Sequence, residues 1–502
     1  MARGKKKEEL TLEEKLERAL VPVEEQPYEV PENWCWTIVG NLVDLHRGVS
    51  YKKNESHLVK CKNDCLVMRG GNILEGAIDI EAENIYVDKS LVKFEQYIQE
   101  NDIIIVSSTG SKKVIGRAGI SFANYSDVSF GAFLMLVRPK QKLCKRYVDY
   151  YFQSQIYRER IRLLACGVNI NNIRAEYIMK SPIPLPPLQE QQRIVERIEN
   201  LFAKLDEVKE KLEDSLRVCN ERRNSILQKA YSGILTEKWR RNHLNIKNCV
   251  IDNIEKYSLN LSKREKKFIE DGQSKLNEIT MSSNVCWYQG NIGAVSIVTN
   301  GSTPSRKCDN FWNGDIPWVS SGEVRNNVIA YTEERITQEG YDNSSVKLLP
   351  IGTVLIAMIG EGKTRGQSAI LNIEATTNQN IAAIVIEHGQ INSKFLWYWL
   401  QKQYKRNREK GVGSGPQALN CQRVRELDFI IPPLEEQNEI VKIIDNLMNK
   451  ENSIIDSIET TLENVEGIRK SILANAFRGE LGTNDSDEMS AIELLKTILV
   501  ET

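Results

Sequence analysis

Most proteins that carry out a reaction show it in a short motif, and this chain of 502 residues offers only near misses. Ala357-Met358-Ile359-Gly360-Glu361-Gly362-Lys363-Thr364 imitates a phosphate-binding loop directly after an apolar run. Such a loop needs glycine at its first position for the turn, and a helix after Lys-Thr to aim amide groups at phosphates. Here alanine holds the first position, and the Arg365-Gly366-Gln367-Ser368-Ala369-Ile370-Leu371 that follows reads as a strand. An NTPase using Lys363 and Thr364 is therefore the alternative reading and not the main one. His57, Cys61 and Cys65 come nearest to a metal cluster, but a structural zinc site wants a second ligand pair at short spacing. No GxGxxG, HExxH or Asn/Asp-Pro-Pro-aromatic motif is present, and no acid pair with a lysine resembles a nuclease centre. The expectation is no catalytic residue, no metal and no cofactor of the chain's own, which leaves binding.

Loops rich in cations and hydroxyls favour binding, and they occur in matched pairs. Arg47-Gly48-Val49-Ser50-Tyr51-Lys52-Lys53 parallels Asn300-Gly301-Ser302-Thr303-Pro304-Ser305-Arg306-Lys307. Arg69-Gly70-Gly71-Asn72 parallels Ser320-Ser321-Gly322-Glu323, and Thr109-Gly110-Ser111-Lys112-Lys113 parallels Ile359-Gly360-Glu361-Gly362-Lys363. Gly167-Val168-Asn169-Ile170-Asn171-Asn172 parallels Gly413-Ser414-Gly415-Pro416-Gln417-Ala418. Lysine and arginine neutralise phosphates, hydroxyls donate to them, and Arg, Asn and Gln can read base edges bidentately. The candidate DNA-binding residues are Arg47, Ser50, Lys52, Lys53, Arg69, Lys112, Lys113, Asn169 and Asn171 in the first half. In the second half they are Thr303, Ser305, Arg306, Lys307, Ser320, Lys363, Arg365, Ser414 and Gln417. Taken singly most would be ordinary polar turns; their recurrence at equivalent places is the stronger argument.

The elements that must position these loops are also duplicated. Pro186-Pro187-Leu188-Gln189-Glu190-Gln191 returns as Pro432-Pro433-Leu434-Glu435-Glu436-Gln437, an offset of 246 residues, and a long helical pattern follows each copy. In the first, Ile194, Leu201 and Val208 alternate with Ile198, Leu205, Leu212, Cys219 and Ile226 as an a/d heptad seam. In the second, Ile440, Leu447, Ile454 and Ile468 alternate with Ile444, Ile458, Val465 and Ile472. Ser215, Arg222 and Glu451 interrupt the seam and could set register or face a partner. About 40 helical residues make a rod of roughly 60 Å, and the cheapest partner along such a rod is its own copy, antiparallel.

The expected order is an N-terminal helical arm (1–31), a globular head (32–185), the first long helix (186–236) and a charged, partly helical connector (237–283). A second head (284–431), the second long helix (432–483) and a short amphipathic helix (484–502) complete it. Strands are predicted at 103–106 and 132–137, then a helix over 147–164; the second head repeats this at 353–358, 381–386 and 395–405. The fold class is α+β: two globular mixed α/β domains separated by a pair of long antiparallel coiled-coil helices, an internal pseudo-twofold duplication.

Composition agrees with a soluble chain of two domains: 41% hydrophobic, 27% charged. No apolar run approaches the roughly 20 residues of a membrane span, and the basic start lacks the apolar core of a signal peptide, so a cytoplasmic location is expected. Ten scattered cysteines without a CxxC fit reduced thiols. A net charge of −1 is not that of a nonspecific DNA coat, although a whole-chain sum can hide a basic face.

The PPLxEQxxIV entry to each helix, the Ser-Ile-Leu-xx-Ala-[Tyr/Phe]-x-Gly-x-Leu exit and the Gly301-Ser302-Thr303-Pro304-Ser305 loop followed by Ile316-Pro317-Trp318-Val319 form a recognisable set. Thr377-Asn378-Gln379-Asn380, Gln417-Ala418-Leu419-Asn420 and the N-terminal Ala19-Leu20-Val21-Pro22 to Pro31-Glu32-Asn33-Trp34 region extend it over nearly the whole chain. On these residues the chain resembles the specificity (S) subunit of type I restriction-modification systems; Gly48-Val49-Ser50-Tyr51 departs from the Gly-Ser-Thr-Pro of that pattern. The resemblance implies a noncatalytic subunit in which each head is a target recognition domain for half of a bipartite double-stranded DNA site. It implies helices that set the spacer and dock two modification (methyltransferase) subunits, in company with restriction (motor and endonuclease) subunits. S-adenosylmethionine, and ATP with Mg for restriction, would be used by those partners, and the target base would flip into a partner's pocket.

Overall fold

The structure is a computed structural model that describes the chain apart from residues 1–9, 83–84, 166–170, 244–245, 250–260, 282–284, 361, 387–388, 390, 410–417 and 501–502. The chain folds as two units, residues 1–213 with 459–502, and residues 214–458. Each long helix contributes its first part to one unit and its last part to the other.

In the first unit an antiparallel sheet runs in the order Val43–Arg47, Leu134–Pro139, Ile103–Val106, Ala118–Ile120. A mixed sheet runs Ser56–His57, Tyr86–Asp88, Asp64–Met68, Val128–Phe130, its last pair parallel. The apolar Ile103–Val106 strand follows from its place: Ile103 and Ile105 join one core cluster while Ile104 and Val106 join another. Alternate side chains leave opposite faces of a strand, so a strand covered on both sides must be apolar at every position. The second unit repeats the device. Its five-stranded sheet runs Ile297–Asn300, Ile381–Val385, Val354–Ala357, Ser368–Leu371, Asn327–Ile329. There Val354 and Ile356 face one cluster and Leu355 and Ala357 another.

The helix expected over 147–164 is two helices, Lys145–Gln153 and Gln155–Leu164. Ser154 breaks it by adopting an extended backbone (φ −66°, ψ 152°); its hydroxyl donates to the Tyr151 carbonyl at 2.6 Å and accepts from the Tyr157 amide. Serine competes with helical backbone bonding in this way and so favours caps over helix interiors. In the second head the helices are Ser393–Lys402 and Tyr404–Glu409.

The PPLxEQ motif is a built junction. Leu188–Tyr231 and Leu434–Arg478 are the long helices. In the first unit the buried Glu190 carboxylate accepts from the Trp34 indole at 2.7 Å and from Asn484 at 2.9 Å. Gln191 donates to the Pro186 carbonyl and accepts from the Cys144 amide. In the second unit Glu436 accepts from Trp287 at 2.8 Å, Thr236 at 2.6 Å and Arg240 at 2.5 Å, while Gln437 donates to the Pro432 carbonyl and accepts from the Asn392 amide. Thr483 and Asn484 lie just beyond the second helix, and Thr236 and Arg240 just beyond the first. Each junction therefore joins the entry of one long helix to the exit of the other, as antiparallel pairing requires.

Within each unit the helices also meet along their sides. Lys209 reaches Glu466 at 3.8 Å and Arg469 pairs with Asp206 in the first unit; Arg222 reaches Glu451 at 3.5 Å in the second. The seam differs from the heptads read in the sequence in one of its two rows. Ile198, Leu205, Leu212, Cys219 and Ile226 are buried or half-buried as expected, but Val208 is 42% exposed. The other row passes one residue later, through Phe202, Leu216 and Ala230, matched by Met448, Leu462 and Ala476, and Ile454 is 41% exposed like its equivalent Val208. Ser215 and Arg222 are thus off the seam, while Glu451 interrupts its other row between Ile444 and Ile458 and is met from the side by Arg222.

The first and last segments of the chain meet. Leu12–Ala19 opens on a Thr11–Glu14 capping box and packs against Ala491–Val500, and the Ala491 amide donates to the Asn33 carbonyl at 2.8 Å. The connector does the corresponding work in the second unit: Lys263–Gln273 packs on residues 292–294, and Asn277–Thr280 adds a strand to Cys286–Asn291, itself paired with Asp428–Ile431.

Candidate nucleic-acid interface

In the first head the glycine of the Arg47-Gly48 loop is required by a close approach. A Cβ at Gly48 would stand inside the contact distance of the Gly131 carbonyl oxygen, and one at Gly301 would strike the Thr377 carbonyl oxygen in the same way. The loop is drawn onto the neighbouring strand in both heads, so its side chains are displayed at a fixed place. Beside it a cleft of about 800 Å³ is lined by Ser50, Lys53, Arg69, Thr109 and Arg117, with Phe133 on its wall. A second hollow of about 590 Å³ is lined by Arg47, Ser50, Asn172 and Arg174. The structure therefore gathers Arg47, Ser50, Lys53 and Arg69 around two adjoining hollows that share Ser50. Lys52, Lys112 and Lys113 are exposed but line neither, and the Lys113 carbonyl instead accepts from Arg158 at 3.0 Å. Asn171 pairs with Thr109 through the backbone; Asn169 lies outside the described residues.

Two residues missed in the sequence stand in this cleft. Arg117 donates to the Gly70 carbonyl at 3.1 Å, which fixes its guanidinium, and its Nε makes no hydrogen bond among the described residues. Phe133 is 69% exposed at the turn before Leu134–Pro139, its carbonyl taken by the amides of Ser107 and Ser108. Neither belongs to a charged loop motif, and strand-end residues give no signal until the strands are assembled.

In the second head Thr303 shares a hydrogen bond with Gln379, which ties the Gly-Ser-Thr-Pro loop to Thr377-Asn378-Gln379-Asn380. Arg306 lies flat on the Trp312 ring at 3.7 Å and donates to Glu334 at 2.8 Å. That hydrogen bond lowers the Glu334 pKa and raises that of Arg306. Arg306 is thus held as a stacked, paired plate. Ser305 and Lys307 beside it are exposed, and Ser320 caps a turn in which its amide donates to Glu323 at 2.7 Å. Arg365 departs from expectation: only 7% exposed, it is too enclosed for a phosphate contact. Counting from the shared turn glycines Gly116 and Gly366, it occupies the place of the core residue Ile115. Ser414 and Gln417 lie outside the described residues.

Lys363 is exposed, but no helix follows it: Ser368–Leu371 is a strand antiparallel to Val354–Ala357, so the loop is a hairpin connection. The amides that a helix after Lys-Thr would aim at a phosphate are instead turned into that hairpin, Gly366 donating to Ala357 and Gln367 to Thr364. The NTPase alternative has no support in this geometry.

His57, Cys61 and Cys65 do not converge: Cys65 is buried with its thiol on the Leu66 carbonyl. Among the described residues no helix is long and apolar enough to cross a membrane.

Two heads on one strand plan, each with a glycine-anchored loop, joined to paired long helices, define a duplicated two-headed module. The family model described as type I restriction modification DNA specificity domain matches residues 31–217 and again 284–464. The chain belongs to this family: it is a DNA-recognition specificity subunit of the type I restriction-modification class. Among its relatives, the StySPI specificity subunit of Salmonella potsdam is 28% identical over 465 residues, covering 90% of each chain. The EcoKI specificity subunit of Escherichia coli K12 is 26% identical, covering 94% of this chain and 96% of the relative. A solved structure described as the structural basis underlying complex assembly and conformational transition of the type I R-M system shares the fold. Its TM-score is 0.62 at 16% identity, covering 90% of this chain and 100% of that one.

Proposed function

We propose that each head reads one half of a bipartite duplex site and that the paired helices set the spacer and dock two methyltransferase subunits. The observation that carries this reading is the gathering of Arg47, Ser50, Lys53 and Arg69 about two adjoining hollows on a scaffold that the second head repeats. Fixed cations position the phosphates, and hydroxyl, amide and guanidinium groups read base edges. Methyl transfer and cleavage belong to the partner subunits, which would bring S-adenosylmethionine and ATP with Mg; the complex would act on DNA in the cytoplasm. Val208 and Ile454, equivalent aliphatics exposed one step outside the seam, are the anchors assigned to those partners.

Exchanging residues 32–184 for another head tests the reading by methylome sequencing. One half of the methylated site should change and the other half and spacer should stay; a change in both halves, or in neither, refutes it. Separately, Val208→Asp with Ile454→Asp should abolish co-purification of the methyltransferase, and unaltered co-purification would remove the docking assignment.

A further inference from the structure

The first head holds a group of side chains that neither DNA reading nor the scaffold employs. Ser56–His57 and Asp64–Met68 flank Tyr86–Asp88 in the mixed sheet, so the ends of the loop between them are brought together. His57 Nε2 lies 2.6 Å from Asp64 Oδ2, and the Cys61 amide donates to the same oxygen at 2.5 Å. One ligand atom from each of His57, Cys61 and Asp64 lies within 4.8 Å of the others. The His57 ring is braced by Tyr86, 6.5 Å away between centroids and tilted by 25°. Asp64 is buried, while His57 and Cys61 open to solvent, so the carboxylate forms the floor of the cluster and an ion could enter from above. Sequence spacing pointed to Cys65, but consecutive strand residues face opposite sides, and it is Asp64 that turns toward His57.

We propose that His57, Cys61 and Asp64 bind a zinc ion that staples loop 58–63. An imidazole nitrogen, a thiolate and a carboxylate oxygen are a zinc donor set, with bonds of about 2.0–2.3 Å, and water completes a tetrahedron. The three donor atoms lie within 4.8 Å of one another, so binding needs only that the His57–Asp64 contact open slightly and the loop bring the Cys61 thiol in. Binding takes His57 as the neutral imidazole with Nε2 free for the metal and the ring proton on Nδ1, and Cys61 as the thiolate, whose proton passes to solvent. The stapled loop carries Leu58 and Val59, 77% and 76% exposed, and springs from Ser56 on the wall of the large cleft. The ion fixes an apolar finger at the rim of the first head.

The test is titration of the reduced, chelator-stripped full chain with Zn2+ against a chromophoric chelator, with Co2+ as a spectroscopic substitute. Expected are about one ion per chain and a thiolate-to-cobalt charge-transfer band. Cys61→Ser should weaken Zn2+ binding at least about tenfold and abolish the band. Cys61 is exposed, so this variant keeps the fold, which circular dichroism checks. Cys308→Ser, at an exposed thiol of the second head, should leave both signals unchanged. A wild type that takes up no Zn2+, or uptake that Cys61→Ser leaves intact, overturns the site; neither outcome bears on DNA reading.

Discussion

Arg117 and Arg365 show how little a residue's type says about its work. Arg117 lines the cleft with its guanidinium anchored on the Gly70 carbonyl, whereas Arg365 sits in a core position. Arg117→Ala should cost about 1–3 kcal/mol in binding to the specific duplex and relax only the half-site of the first head, as measured by competition binding. Arg365→Ala should instead lower the unfolding midpoint and leave base preference unchanged. Asp149 supplies a pH signature. It pairs with Arg146 at 2.6 Å, yet burial prevails and raises its pKa from 3.8 to about 6. The folded state therefore holds a proton that the unfolded chain has released between pH 4 and 6. That proton's stabilisation is full below pH 4 and is lost as pH rises through about 6. From pH 5 to pH 7 the urea stability of the wild type should fall relative to Asp149→Asn by about 1 kcal/mol.

At the scale of elements, the junction and the seam make separable predictions. Glu436 and Arg240 are a buried pair, so Glu436→Gln leaves a guanidinium without its counter-charge and should cost about 3–5 kcal/mol. Trp287→Phe removes one donor to a charged acceptor and should cost about 1.5–3 kcal/mol. Chemical denaturation checks both. The PPLxEQ motif was legible in the sequence as the entry to a helix; its chemistry was not, because Trp34 and Trp287 lie about 150 residues from the carboxylates they serve. For the seam, Leu216→Ala should destabilise by about 1–2 kcal/mol while Ser215→Ala stays within about 0.5 kcal/mol; equal effects would restore the register read from the heptads.

At the scale of the whole molecule, the helices Leu12–Ala19 and Ala491–Val500 are structural parts of the first unit. Ala491, Leu495 and Ile498 are buried in the same cluster as Ala19 and Trp34. Truncation after residue 482 exposes that cluster and removes Asn484 from Glu190, and it should lower the melting transition of the first unit while leaving that of the second in place. Calorimetry of the truncated chain checks this, and a single unshifted transition would show the tail to be dispensable.

Legible in the sequence were the duplication, the two long helices, apolar strands at 103–106 and 353–358, and the family. All of these rest on local periodicity or on repeated short motifs, and such signals survive without knowledge of what packs where. Tertiary structure alone decided which cations meet. Arg47, Ser50, Lys53 and Arg69 converge because separate strands and loops bring them to one place; Arg365 turns inward because its counterpart is a core isoleucine. It decided equally that Asp64 and not Cys65 stands beside His57. Proximity between residues distant in the chain is a property of the assembled sheets, and no spacing along the sequence encodes it.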